Sequence, residues 1–342
     1  MTRTSERSSA DSPPGLDLAA LADVFRPLHP VGPLRAEVIV GGLSNLTYRV
    51  TDGSRDWVVR RPPLGHVLAT AHDMGREFRV ISALAPSDVP VPPAVVYVAD
   101  ANIIGAPFYV MDFVPGSSYR SAADLTPLGP DRIHAITERM VDVLAALHAV
   151  NPEDVGLGDL GRPEGFLSRQ VRRWKTQLDS SRHREVQGLD TLAELLANQV
   201  PSSDSVAIVH GDYRLDNLIV GADDHIAAVV DWEMATLGDP LTDVGLLVVY
   251  QRLSEQGFLV GNAASAPGFL TEEEILVRYG QVSGRDLSHL GFYIALASFK
   301  LAVILEGIHL RHAQGKTVGD GFDQVGALVE PIVAAGLAAL NS

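Results

Sequence analysis

The 342-residue chain has no cysteine. A disulfide framework, a thiolate nucleophile and a cysteine-held zinc are excluded together. Basic residues are in deficit, with 27 Lys and Arg against 42 Asp and Glu and a formal net charge of −15. A protein this acidic is no general binder of nucleic acid or of an anionic membrane, although a local basic pocket stays open to it. No run reaches the roughly 18 apolar residues expected of a membrane span. The eleven histidines form no His-Glu-x-x-His zinc pattern, and there is no Gly-x-Ser-x-Gly elbow for a serine hydrolase. Residues 1–14 are polar and lack the apolar core of a secretion signal, so a disordered tail on a cytoplasmic protein is expected. The remaining composition, 46% hydrophobic and 20% charged, is that of a globular chain long enough for one large bilobal unit or two domains.

What is present is concentrated in one stretch, His210-Gly211-Asp212-Tyr213-Arg214-Leu215-Asp216-Asn217, followed by Asp231-Trp232-Glu233. A phosphoryl group in flight spreads negative charge over its oxygens, so its transfer needs in-line positioning, a proton acceptor and oxygen ligands for magnesium. Asp212 stands where a kinase catalytic loop has its base, Asn217 stands at the metal-binding Asn five positions on, and Asp231 stands at the second metal-binding Asp. The apolar runs 218–220 and 226–230 flank Gly221-Ala222-Asp223-Asp224, which predicts a strand, turn, strand hairpin that returns Asp231 toward Asn217.

Periodicity divides the rest of the chain. An amphipathic helix is predicted over 16–28, then short strands over 37–40, 46–50, 57–61, 94–98 and 107–114, interrupted by one helix over 72–84. After Gly116 helical spacing dominates, as in Ile133, Ile136, Met140, Val143, Leu144 and Leu147. The expectation is an α+β chain. It consists of a tail (1–14), a β-rich lobe with its opening helix (15–110), a connector (111–116) and a mainly helical lobe (117–342).

Together with Gly41-Gly42-Leu43-Ser44-Asn45 and Trp57-Val58-Val59-Arg60-Arg61-Pro62-Pro63, these motifs resemble the aminoglycoside phosphotransferase family, a branch of the bilobal protein-kinase-like fold. With Asp231-Trp232-Glu233-Met234-Ala235-Thr236-Leu237-Gly238-Asp239-Pro240 the resemblance is to the kinase-like domain fused to some acyl-CoA dehydrogenases. It implies a small antiparallel-sheet N-lobe, a larger helical C-lobe, and ATP with Mg2+. Gly42, Ser44 and Asn45 would lie on the phosphate-covering loop. Arg60 would replace the usual phosphate-binding Lys and Glu77 would pair with it, while Arg61 would face outward from the same strand. Met111, Asp112 and Val114 would meet adenine. Asp239 and Asp243 read as helix caps or loop-ordering groups, and His148 as a satisfied core residue.

A basic cluster containing Arg169, Arg172, Arg173 and Trp174 reads either as a solvated helix face or as a contact for the phosphates of CoA. Gly156-Leu157-Gly158-Asp159-Leu160-Gly161 matches a dinucleotide fingerprint, but no strand precedes it and Arg162-Pro163 follows where a helix should open. Gly315-Lys316-Thr317 reads as a helix-terminating loop. The expected activity is phosphorylation of a small-molecule hydroxyl, with a hydroxyacyl-CoA favoured over an aminoglycoside. A nucleotide-binding pseudoenzyme and a protein kinase remain open.

Overall fold

The computed structural model describes residues 12–39, 45–65, 72–203, 205–255, 262–316, 322 and 324–341. They form two compact units, one reaching Pro115 and including Ala228–Glu233, the other comprising Gly116–Ala227 and Met234–Ser342. Asp231 therefore belongs to the first unit, whereas the sequence division placed it in the lobe 117–342.

In the first unit the Asp17 carboxylate accepts hydrogen bonds from the Ala19 and Ala20 amides and starts α1 (Leu18–Phe25). Strands β1 (Arg35–Val38), β2 (Leu46–Thr51), β3 (Asp56–Arg61), β4 (Ala94–Val98) and β5 (Phe108–Asp112) make an antiparallel sheet in the order β1-β2-β3-β5-β4. Side chains alternate across a strand, so Trp57 and Val59 meet Leu21 and Phe25 of α1 in a core shared with Tyr48, Val50, Phe108 and Val110. Phe25 meets Trp57 edge to face at 5.2 Å. Arg60 leaves by the other face, where the register Thr47, Arg60, Tyr109 sets it beside Tyr109. That face also meets α2 (Met74–Leu84), started by the Asp73 carboxylate accepting from the Arg76 amide at 3.0 Å.

The cover on the α1 side of the sheet corrects the expectation for Arg61. It is buried, not outward-facing, because the segment before α1 and the turn carrying Ile104 cover its side of the sheet. Its guanidinium donates to the carbonyls of Pro62 (3.1 Å), Gly15 (2.5 Å) and Ile104 (2.7 Å).

The second unit contains α3 (Ala122–Leu125), α4 (Pro130–Ala149), α5 (Phe166–Ser181), α6 (Leu189–Asn198), α7 (Leu241–Glu255), α8 (Glu272–Ser283), α9 (Leu290–Ala313) and α10 (Val329–Ala339). Short strands β6 (Ala207–Val209) and β9 (Thr236–Gly238) pair antiparallel, and β7 (Leu218–Val220) pairs with β8 (Ile226–Val229) as the expected hairpin. The segment after α9 ends the helix as predicted: Gly315, at φ +66°, and Lys316 return their amides to the His312 and Arg311 carbonyls.

Helix α9 is long and apolar enough to cross a membrane by length and mean hydropathy, although Ser298, Lys300 and Glu306 interrupt its apolar run. Its 24 residues include an 18-residue window of mean hydropathy 1.7. That window is 72% buried within the protein, against α5, α6, α7 and α10, which is how a central core helix earns such a composition.

Candidate active site

The first unit gathers a network of carboxylates around one guanidinium. Arg60, on β3, makes an ion pair with Glu77 of α2 at 3.0 Å, a hydrogen bond with Asp231, and lies 4.0 Å from Glu233. Glu77 is 1% exposed and also accepts from the Tyr109 hydroxyl at 3.1 Å. Burial raises its carboxyl from 4.5 to about 7, with Arg60 pulling it back and Asp231 pushing it further. Burial likewise works against the Arg60 charge, but the surrounding carboxylates outweigh it and hold the guanidinium above its ordinary value.

Asn45 ties the network together. Its amide nitrogen donates to Glu77 at 3.2 Å and to Glu233 at 2.9 Å, and its amide oxygen lies 2.8 Å from His72 Nδ1. Asp231 sits at φ +67°, a left-handed conformation uncommon for a residue with a side chain and characteristic of functional turns. Met111 and Asp112 end β5, and Val114 lies just beyond, its amide without a hydrogen-bond partner among the described residues. Gly42 and Ser44 lie outside the described residues.

In the second unit the loop after β6 is clamped from behind. Asp243, in the first turn of α7 and 1% exposed, accepts from the His210 amide at 2.6 Å and the Gly211 amide at 2.8 Å. Burial pushes its carboxyl up, but bonds from His148 and the Gly211 amide bring it below the usual range. Burial keeps His148 below its ordinary value, so the neutral ring donates through Nε2 to Asp243 (3.2 Å) and accepts from the Tyr279 hydroxyl at Nδ1 (2.8 Å). His148 is thus a satisfied core residue and Asp243 a loop-ordering group, as expected. Gly211 has φ +83°, and a Cβ there would meet Met234 Cβ at 2.8 Å, so only glycine fits the turn.

The clamped loop presents Asp212. Its Oδ1 accepts from the Tyr250 hydroxyl at 2.6 Å and its Oδ2 from the Asn217 amide at 3.1 Å, while its own amide donates to His210 Nδ1 at 3.3 Å. Asn217 also donates to the Asp212 carbonyl at 2.8 Å. Its nitrogen is engaged in these bonds, leaving the amide oxygen as its remaining donor atom for a metal. Asn217 and Asp231 thus each offer hard oxygen, the chemistry magnesium takes. Among the described residues there is no cluster of three or more His, Asp or Glu that could hold a metal.

The basic cluster on α5 does not act as one patch. Arg169 donates to the carbonyls of Arg162 and Glu164, and Lys175 pairs with Asp179 at 2.5 Å. Arg172 and Arg173 are exposed, whereas Trp174 is buried, with the Arg173 guanidinium 5.4 Å from its ring centre. Motif reading missed Tyr250, Tyr109 and Lys300. Each reaches the site from an element distant in sequence, and none sits in a local pattern that could have marked it.

Residues 35–274 match the model of the phosphotransferase enzyme family, APH. Acyl-CoA dehydrogenase family member 11 of Gallus gallus is 33% identical over 323 residues, covering 91% of this chain but 41% of that protein, so the chain spans less than half of this curated relative. A candidate aminoglycoside phosphotransferase of Ralstonia eutropha JMP134 has a solved structure with 33% identity and a TM-score of 0.82, covering 95% of this chain and 98% of its own. A thermostable mutant of aminoglycoside phosphotransferase APH(4)-Ia, solved as a ternary complex with AMP-PNP and hygromycin B, shares the fold at 16% identity and a TM-score of 0.63, with coverages of 94% and 97%. The fold is the α+β, bilobal protein-kinase-like one, with an antiparallel sheet in one unit and mainly helices in the other. Matched by the family model over most of its length, the chain belongs to the phosphotransferase enzyme family.

Proposed function

We propose that this chain transfers the γ-phosphoryl group of ATP, with Mg2+, to the hydroxyl of a small molecule, and that the acceptor is a hydroxyacyl-CoA. The observation that carries the reading is Asp212, held at both carboxylate oxygens by Tyr250 and Asn217 on a loop clamped by Asp243. A base so oriented accepts the proton of the acceptor hydroxyl. The acceptor oxygen then bonds to the γ-phosphorus as the bond from that phosphorus to the β–γ bridging oxygen breaks, and ADP leaves with the bonding pair.

Arg60, steered by Glu77, holds phosphate oxygens through its planar fork. Asn45 keeps the carboxylates around it in register. The Val114 amide, without a hydrogen-bond partner among the described residues, suits an adenine edge, with the Asp112 carbonyl and Met111 as its companions. Asn217 and Asp231 would hold the magnesium, which supplies charge neutralisation on the phosphates. The nucleotide and small-molecule ligands named for the APH(4)-Ia complex support this choice of partners.

For the acceptor, support comes from the similarity to an acyl-CoA dehydrogenase family member and from the exposed Arg172 and Arg173 of α5 as cations for the CoA phosphates. Phosphorylation would turn a poor leaving group, hydroxide, into phosphate and prepare the acyl chain for elimination. The test pairs 4-hydroxyacyl-CoAs with kanamycin in separate reactions containing ATP and Mg2+, following ADP release and the mass of the product. A phosphorylated acyl-CoA is expected. Turnover of kanamycin with no acyl-CoA product would refute the acceptor and leave the kinase chemistry in place.

A further inference from the structure

The second unit carries a cation beside Asp212 that the catalytic motifs do not include. Lys300 lies in the middle of α9, between buried Phe299 and the buried pair Leu301 and Ala302. An ammonium on such a helix is costly unless it is bonded. Burial draws the Lys300 amine below its ordinary value, with Asp212 and Asp243 acting in the opposite sense. Its Nζ donates to the Gly211 carbonyl at 2.9 Å, one residue before the base, and lies 5.9 Å from the centre of the Trp174 ring. Arg173 stands over the same ring. An ammonium has three donors, and among the described residues only one of them is satisfied.

We propose that Lys300 is a specificity-determining residue that touches the acceptor: its ammonium binds a carbonyl or carboxylate oxygen of the substrate whose hydroxyl reacts at Asp212, and Trp174 supplies the wall for the adjoining carbon chain. The inference rests on the phosphotransferase reading above. An indole beside the amine suits a partner with hydrocarbon as well as oxygen, whereas a phosphate site gathers backbone amides. Two like charges, Lys300 and Arg173, would repel a polyamine at this place.

The test compares wild type, Lys300→Met and Lys300→Arg on 4-hydroxybutyryl-CoA, 4-hydroxybutyrate and 1,4-butanediol, which keeps the hydroxyl but has no carbonyl. Wild type should prefer the acyl compounds to the diol. Loss of one charge-assisted hydrogen bond predicts that Lys300→Met raises KM for them by about 10- to 100-fold, erases the preference, and leaves KM for ATP within about twofold. Lys300→Arg should restore part of the preference. If thermal unfolding shows that the Met variant does not fold, the Arg variant decides: an altered acyl-to-diol ratio supports the role and an unchanged ratio overturns it. A folded Met variant that keeps the wild-type preference, or raises both KM values equally, also overturns it. Wild-type turnover confined to compounds without a carbonyl removes this inference alone; no phosphorylation of any hydroxylated compound removes the phosphotransferase reading with it.

Discussion

Replacing Glu77 by Gln should separate two opposite pH dependences created by one carboxyl. Burial lifts Glu77 from 4.5 to about 7 despite the opposing pull of Arg60. A carboxyl whose pKa is higher folded than unfolded binds its proton more tightly in the folded protein. Its contribution to stability is therefore complete below about pH 4.5 and is lost as pH rises through about 7. At about 1.36 kcal/mol per unit, the loss is about 3 kcal/mol. Arg60 needs the ionised partner to be steered, so kcat/KM should rise over the same interval, with an apparent pKa near 7. Gln cannot ionise. Glu77→Gln should remove the carboxyl's share of the pH-dependent stability and flatten the acid limb of kcat/KM at a lower plateau. Urea unfolding and steady-state rates, each taken between about pH 5 and 8 at constant ionic strength, measure both. A stability difference between the two proteins that stays constant across that range, or an acid limb unchanged in the variant, would refute the reasoning.

Arg61→Lys should lower stability by about 1–3 kcal/mol in urea unfolding, because one ammonium cannot serve the carbonyls of Pro62, Gly15 and Ile104 together, while kcat/KM stays near wild type. A silent substitution would show that these bonds contribute nothing. Gly211→Ala should cut kcat by about 10-fold or more, since the added Cβ would lie 2.8 Å from Met234 Cβ and 2.9 Å from its carbonyl oxygen and must displace the loop carrying Asp212. Wild-type turnover in that variant would mean the loop's position is not critical.

Much of this arrangement was legible because it is local. The turn residues Gly221 to Asp224 between two β-branched runs announced the β7–β8 hairpin, and strand alternation separated Arg60 from Arg61 by face. Alternation says which face a side chain leaves by, but not what covers that face, and so the burial of Arg61 under the segment before α1 was missed. The partners of the α5 cluster were illegible for a related reason. Arg169 folds back to the Arg162 and Glu164 carbonyls, Arg173 stands by the Trp174 ring and Lys175 pairs with Asp179, and nearness in sequence announces none of these partners. Tyr250 and Lys300 were illegible because they reach the loop of Asp212 across 38 and 89 positions of chain. Only tertiary packing brings such residues together.

If Asp212 takes the proton of an acceptor hydroxyl, Asp212→Asn should remove that step and little else. The amide is nearly the shape of the carboxylate and keeps an oxygen for Tyr250, but it is no base. With Mg-ATP and the acceptor found for wild type, kcat should fall by about 10² to 10⁴ while nucleotide affinity, measured by titration calorimetry, stays within a few-fold. An Asn variant that turns over at the wild-type rate would contradict the account.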